Sequence, residues 1–157
     1  MAEAASRDVR CLLIPLEGVR LLVPDSAVAQ VGSFVQPDPI AEAPAWLLGR
    51  IPWQKQLIPL LSFEAANGLF NTPPAGRARA AVMKVLDGNL KLPCYGLLSN
   101  GIPHPLSVTA PALAADEGTP SGGPVVKQTV LLHGEPALIP DLDALEELLR
   151  GVRHLLG

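Results

Sequence analysis

The segment of residues 46–63, WLLGRIPWQKQLIPLLSF, decides how this chain folds. Leu57, Ile58, Leu60 and Leu61 surround Pro59, and this pattern predicts a strand that is apolar on both faces and buried near a core. The proline predicts that this strand lies at a sheet edge or ends irregularly. Residues 52–56, PWQKQ, form a polar tip between the two apolar parts. A tip held between buried segments is suited to present side chains to a partner.

The composition predicts one globular domain built from many short strands and turns. The chain has 157 residues, 48% of them apolar and 17% charged, with 17 prolines and 14 glycines. The net charge is −3 and no Lys/Arg cluster is present, which argues against nucleic acid as a partner. No apolar run reaches the roughly 18 residues that cross a bilayer, so direct membrane insertion is not expected. Without a signal-peptide core in its polar N-terminus, the chain is expected to be cytoplasmic.

Successive apolar runs separated by turn residues predict a series of hairpins. Asp25 is predicted to cap a short helix after the first hairpin, with Val28 and Val31 on its inner side. Residues 45–49 are predicted to form one helical turn. Residues 87–89, Asp-Gly-Asn, are predicted to be a tight hairpin turn. The predicted strands are residues 9–16, 19–24, 31–35, 57–61, 78–86, 90–98 and 125–140, the last containing a turn at Gly134 and Glu135.

An internal repeat suggests two similar halves. Residues 57–61 followed by residues 62–69 resemble residues 138–142 followed by a C-terminal helix, since both are an apolar strand, a proline and a helix. Two hairpin-rich halves favour a pair of small barrels. In the terminal helix, Asp143 and Glu146 match a capping pattern, while Glu146, Glu147 and Arg150 are predicted to point away from the apolar face. This helix either packs on its own barrel or docks on a partner.

No catalytic or metal-binding pattern is present. His104, His133 and His154 do not stand at metal-ligand spacing, so neither a metal site nor a cofactor is predicted. The chain also lacks a phosphate-binding loop and a nucleophile motif, so an enzyme is not expected. Cys11 and Cys94 lie in apolar runs and are predicted to be buried free thiols.

The tip residues are the candidate partner-binding residues. Tryptophan is enriched where proteins bind one another, so Trp53 is either an interface residue or part of the core. Arg50 is either a partner contact or a solvated arginine, and Trp46 is favoured as a core residue. We therefore predict partner binding by Arg50, Trp53, Gln54 and Lys55.

The same segment resembles the central signature of CheW-like chemotaxis coupling domains. That signature runs glycine, apolar, Ile, Asn-Leu-Arg-Gly, any residue, two apolar residues, Pro, two apolar residues and Asp-Leu. The matching residues are Gly49, Ile51, Leu57, Ile58, Pro59, Leu60 and Leu61. Residues 52–55 replace Asn-Leu-Arg-Gly, and Ser62 and Phe63 replace Asp-Leu. The pattern is most similar to divergent couplers of type IV pilus (twitching) chemosensory systems, especially the ChpC type.

The resemblance, which extends from about Val9 to Leu149, implies a mainly β fold of two five-stranded SH3-like barrels that share a core. Terminal segments are then expected to cross between the barrels. We predict a flexible N-terminus over residues 1–8 and a single domain over residues 9–157. Barrel one is predicted from residues 19–70 plus the C-terminal segment, and barrel two from residues 78–140 plus the N-terminal strand.

The resemblance also implies a non-enzymatic scaffold without a cofactor. Its expected partners are the regulatory domain of a CheA-type histidine kinase and the cytoplasmic tip of a methyl-accepting chemoreceptor, which would recruit it to membrane receptor arrays. The alternative is a small-ligand-binding β-barrel, which needs a polar-lined cavity that the few interior polar residues do not favour.

Overall fold

The computed structural model of the protein describes residues 8–16, 18–68, 76–90, 92–109, 113–115 and 123–156. Residues 1–7 of the predicted flexible terminus lie outside these ranges, whereas its last residue, Asp8, begins the first strand. The strands are β1 Asp8–Pro15, β2 Arg20–Pro24, β3 Val28–Ser33, β4 Leu47–Trp53, β5 Gln56–Leu61, β6 Arg79–Lys84, β7 Cys94–Ser99, β8 His104–Thr109, β9 Leu113–Ala115, β10 Val126–Leu132 and β11 Glu135–Pro140. The α-helices are α1 Phe63–Ala66 and α2 Leu142–Gly151, and 3₁₀ turns cover Asp25–Ala27, Gly88–Leu90 and Arg153–Leu155.

The strands form two sheets with equivalent strand orders. One sheet has the order β3-β6-β7-β5-β4, and the other has the order β8-β1-β2-β11-β10 with the short strand β9 added beside β10. In both sheets a parallel pair, β5 with β7 or β11 with β2, joins strands that are otherwise antiparallel. This architecture confirms the predicted mainly β fold of two small barrels with short helices and a C-terminal helix.

The predicted division of the strands between the barrels is wrong. One barrel, the central barrel, is built from the continuous segment β3–β7, so β6 and β7 do not group with the strands after residue 100. The other, the terminal barrel, combines the β1–β2 hairpin with β8–β11. The antiparallel pairing of β1 with β2 keeps this hairpin together, so a whole hairpin crosses to the C-terminal half of the chain and not one strand alone.

The internal repeat extends through both β-hairpins and their helices. Gln54 and Lys55 occupy the positions that His133 and Gly134 occupy in the other unit, and all four have positive φ angles. The ladders have the same register, including a bulge near the start of β4 and of β10. The repeat predicted from the sequence is therefore one structural unit that occurs twice, once in each barrel. Its predicted alignment is two residues off, because Leu57 is equivalent to Pro136 and not to Leu138, and Pro59 and Pro140 do not correspond.

Three apolar clusters fill the part of the molecule that the structure describes. One lies inside the central barrel around Ile51 and Ile58, and another lies inside the terminal barrel around Val108 and Val130. The largest lies between the sheets, and the buried side chains of helix α2, Leu145 and Leu149, belong to it. The helix therefore packs on its own protein, and the predicted shared core is present. Among the described residues, no helix combines the length and apolarity needed to cross a membrane.

Several local predictions differ from the structure. Asp25 makes no side-chain cap, and the strand β3 begins already at Val28, because the 3₁₀ turn before it is only three residues long. Residues 45 and 46 form a turn and strand β4 follows from Leu47, in place of the predicted helical turn. Asp141 caps helix α2 through a 3.0 Å bond from the Ala144 N–H, two residues before the predicted cap.

Strand β5 is interior to its sheet, although Pro59 predicted an edge or an irregular end. The parallel ladder of β5 with β7 contains only Leu60 and Leu61 and so begins after the proline. Pro59 has no N–H, but it can lie in this interior strand because the hydrogen-bonded ladder with β7 begins only after it.

Candidate partner-binding hairpin

The β4–β5 hairpin carries all four predicted site residues. A two-residue turn, Gln54 and Lys55, joins its strands, with φ angles of 46° and 66°. Two positive φ angles match the type I′ turn, whose twist suits antiparallel strands, although neither residue is glycine. The predicted five-residue tip is therefore too long, because Pro52 and Trp53 belong to β4 and Gln56 belongs to β5.

Trp53 lies on the face of the hairpin that points into the central barrel. It shares this face with Ile51 and Ile58 and packs half-buried against their cluster. Its indole Nε1–H donates to Gln30 Oε1 at 3.3 Å. Gln30 belongs to β3, at the other end of the strand order, so this contact helps close the barrel. Trp53 is thus partly a core residue of the barrel, and its replacement would disturb the barrel packing as well as the surface.

The opposite face of the hairpin presents an exposed apolar pair. Pro52 and Leu57 are cross-strand partners, and Leu57 is 46% exposed. The sequence reasoning missed both residues, since it assigned Leu57 to a strand buried on both faces. The available signal was position, because Leu57 alternates with the buried Ile58 and follows the polar Gln56 at the strand start. An exposed leucine beside a proline extends the candidate surface beyond the turn.

Arg50 lies at the base of that outward face. Its N–H and C=O both pair with the backbone of Asp38 at 2.9 Å, where the loop before β4 crosses the strand. The crossing requires Gly49, because a Cβ atom at that position would lie 2.3 Å from the Asp38 carbonyl oxygen. The Arg50 side chain is half-buried, and its Nε finds no hydrogen-bond partner among the described residues.

The predicted site residues therefore share one hairpin but not one surface. Gln54 and Lys55 are exposed at the turn, while Trp53 faces the barrel interior and Arg50 faces outward, each half-buried. The surface that a partner can reach consists of the turn and the pair formed by Pro52 and Leu57. We call these four residues the hairpin surface.

The two cysteines outside the hairpin are not activated as nucleophiles. Cys11 and Cys94 are free and buried, as predicted. Burial raises the pKa of both thiols, and the charge of Asp25 raises the pKa of Cys11 further, which disfavours the reactive thiolate. Within the ranges that the structure describes, no group of three His, Cys, Asp or Glu side chains is placed to hold a metal ion.

A surface groove of about 430 Å³ lies on the terminal barrel, away from the hairpin surface. It opens beside the single parallel pair of Leu21 and Leu138, and its walls include Val19, Pro136 and the ion pair of Arg20 with Glu135. The interiors of both barrels hold apolar side chains, so a small ligand would have more room in this groove than in a barrel interior.

Comparison with known proteins agrees with this architecture. The scaffolding protein TtCheW from Thermoanaerobacter tengcongensis superposes with a TM-score of 0.70 at 13% sequence identity, over 85% of this chain and 84% of that one. At this identity the likeness shows the fold alone. No curated protein matches the sequence. The model of the CheW-like domain matches residues 10–149. Because that match covers most of the sequence, the chain belongs to the CheW-like domain family.

Proposed function

We propose that this protein is a non-enzymatic adaptor that couples chemoreceptors to a CheA-type histidine kinase in chemosensory signalling. The observation that carries the proposal is the hairpin surface, an exposed turn and apolar pair on a closely packed barrel. Family membership supports the same role, since the segment that resembles the coupling signature forms this hairpin. The proposed partners are the regulatory domain of the kinase and the cytoplasmic tip of a methyl-accepting chemoreceptor.

The hairpin surface suits recognition by another protein. Pro52 and Leu57 supply apolar area, and Gln54 and Lys55 add donors at its rim, an arrangement found at protein interfaces. The turn backbone is fixed by strands on both sides, so little conformational freedom is lost on binding. Gln54 and Lys55 replace the Arg-Gly of the family signature, and we propose that this change selects a particular kinase.

A more specific role is part of the proposal. The similarity of the segment to ChpC-type couplers supports a place in a chemosensory system that controls type IV pilus (twitching) motility. The protein would then work in the cytoplasm at arrays of membrane receptors. Deleting the gene and scoring both swimming and twitching tests this role, and loss of swimming alone would contradict it.

The second candidate is a small-ligand-binding module, and the groove on the terminal barrel is the observation that favours it. A ligand there would be recognised by the apolar walls and by Arg20 or Glu135. A fluorescence-based screen with small apolar acids and amines distinguishes the two functions. Saturable binding that Arg20→Ala abolishes, together with no binding to kinase or receptor, would replace the adaptor role.

The adaptor role is tested by titration calorimetry of the purified chain. The probes are the kinase regulatory domain and a receptor tip fragment from the source organism. Leu57→Ser and Lys55→Glu are expected to weaken binding to the kinase domain by about tenfold or more, as interface contacts do. Trp53→Ala is a poor choice because it also opens the barrel.

The repeat supplies matched controls on the terminal barrel. Pro136→Ser changes the position equivalent to Leu57, and Lys127→Glu reverses an exposed charge on β10. Both controls are expected to bind like the unmodified chain. A correctly folded chain that binds neither probe would contradict the adaptor role. Equal losses of affinity in the variants and in the controls would show that the hairpin is not part of the binding site.

A further inference from the structure

The connection between β6 and β7 is held in place by the C-terminal helix. Glu146 of α2 is 2% exposed, and its carboxylate accepts hydrogen bonds from the Leu86 N–H at 2.7 Å and the Asp87 N–H at 2.9 Å. Arg150, one turn further along the helix, pairs with the side chain of Asp87. Bonds to a charged acceptor are stronger than those to a neutral one, so this end of the connection is firmly fixed.

The core holds the connection as well. Leu90 is buried in the cluster between the sheets, and the Val85 N–H donates to the Pro93 carbonyl at 3.2 Å. Beneath the connection, burial raises the pKa of the Tyr95 hydroxyl, and the nearby charge of Glu146 raises it further. The carboxylate of Glu146 is therefore enclosed by its own protein and is occupied in shaping the backbone at Leu86 and Asp87.

Leu86 is exposed in spite of these restraints. It is 66% exposed, the largest fraction among the exposed large apolar side chains that the structure describes. Single exposed leucines are common and need no explanation. Here, however, a buried carboxylate fixes the backbone N–H of the exposed residue, and a binding residue fixed in advance loses less entropy on contact.

The register of the sheet places Leu86 at the same end of the central barrel as the hairpin surface. In the parallel pair of β5 and β7, Leu60 is level with Gly96. The hairpin turn precedes β5 and the β6–β7 connection precedes β7. Because these two strands run in the same direction, the turn and the connection lie at the same end of the sheet. Strand β6 leads into the connection at this same end, because it runs antiparallel to β7.

We propose that Leu86 is a second contact of the partner surface and that Glu146 is a positioning residue that presents it. The proposal rests on the adaptor role above and extends its site. The occupant is the kinase regulatory domain, because Leu86 lies at the same end of the central barrel as the hairpin surface that is proposed to bind that domain. The C-terminal helix thereby shapes partner recognition without touching the partner.

Calorimetry with the kinase regulatory domain tests both parts. Leu86→Asp is expected to weaken binding by about tenfold, with an unchanged melting temperature because the side chain is exposed. Glu146→Gln replaces one acceptor oxygen with an amide donor. It is expected to weaken binding severalfold and to speed hydrogen exchange at the Leu86 and Asp87 amides.

A double-mutant cycle separates positioning from a general loss of structure. If Glu146 acts through Leu86, then Glu146→Gln has no further effect on affinity in a Leu86→Ala background. An equal loss in both backgrounds would overturn the positioning role, and so would unchanged affinity in Glu146→Gln despite faster exchange.

The two proposals fail in different ways. If the unmodified chain binds the kinase domain and Leu57→Ser weakens binding while Leu86→Asp does not, the second contact is overturned and the adaptor role stands. If the unmodified chain binds no kinase domain, the adaptor role fails, and the contact at Leu86 fails with it.

Discussion

The two hairpin–helix units share a backbone but differ in how each reaches the other barrel. Asn67, after α1, and Glu146, in α2, occupy equivalent positions of the repeat. Asn67 Oδ1 accepts one bond from the Val125 N–H at 3.4 Å, whereas the Glu146 carboxylate accepts two, at 2.7 and 2.9 Å. Each unit thus sends a polar side chain across to the opposite barrel, and in the C-terminal unit Arg150 adds its ion pair with Asp87. The two acceptors therefore differ in kind, because a neutral amide oxygen accepts the long bond in one unit and a buried carboxylate accepts two shorter bonds in the other.

Substitution of these two side chains should give the largest difference in stability loss between the units. We expect Glu146→Ala to lower the free energy of unfolding by about 3 kcal/mol, because it leaves two amides without their charged acceptor. Asn67→Ala should cost less than Glu146→Ala, since the acceptor that it removes is neutral and its bond from the Val125 N–H is long. Urea unfolding measures both losses, with Asp143→Asn as a solvent-exposed control on the same helix. Equal losses for Asn67 and Glu146 would show that the units anchor alike.

The units also differ at the position where a loop crosses strand β4. Gly49 lies under Asp38, while its counterpart Gln128 carries a full side chain. We expect Gly49→Ala to cost about 2–3 kcal/mol, because its φ of 144° and the approach of the Asp38 carbonyl both exclude a Cβ atom.

Gln128→Ala is the matched control and should change stability by no more than about 0.5 kcal/mol, as an exposed substitution does. Thermal unfolding of the two variants side by side makes the measurement. A Gly49→Ala variant as stable as Gln128→Ala would mean that the loop moves aside at little cost.

The end of each barrel core is closed by a different side chain. Trp53 bonds to Gln30, whereas its counterpart Leu132 is buried without a polar group. We expect Trp53→Leu, which copies the terminal barrel, to cost about 1–2 kcal/mol through lost contact area and a lost hydrogen bond. Gln30→Ala removes only the bond and should cost less than about 0.5 kcal/mol. Chemical unfolding compares them, and a larger loss for Gln30→Ala would assign the closure to the hydrogen bond.

Much of the fold could be predicted from the sequence because its signals are local. The strand–helix pattern occurs twice, although the sequence alignment misplaces it by two residues, and a capping pattern on an apolar helical face identifies the terminal helix, which ends at Gly151. The grouping of strands was not predictable in this way. Pairing of β2 with β11 and of β7 with β5 joins residues that are distant in the chain, and neither pairing leaves a pattern in its own segment.

The site was predicted only in part, for a similar reason. The hairpin and its turn residues follow from polar residues placed between apolar strands. Glu146, in contrast, was expected to point away from the apolar face, because a carboxylate on an amphipathic helix is usually solvated. Its burial depends on two backbone amides about sixty positions earlier in the chain, and local spacing does not reveal such partners.

The smallest expected difference between the units is in how the free energy of unfolding depends on pH in alkaline solution. Tyr95 of β7 stands where the terminal barrel has Leu21, and burial, followed by the charge of Glu146, raises the pKa of its hydroxyl. Above about pH 10 the unfolded chain loses this proton while the native chain keeps it. The unfolded state then binds fewer protons, so stability falls as pH rises, by up to about 1.4 kcal/mol per pH unit. Below about pH 10 this contribution to stability is fully present and constant.

Tyr95→Phe should therefore flatten the decline in stability between about pH 10 and 11.5 and change little at pH 7. Urea unfolding across this range, with and without the substitution, measures the slope that Tyr95 contributes. Lysine and arginine residues contribute equally to both chains, so the difference between the slopes isolates the hydroxyl. Identical slopes would mean that the hydroxyl ionises as readily in the native barrel as in the unfolded chain. The buried tyrosine would then be no more sensitive to alkali than the leucine that replaces it in the terminal barrel.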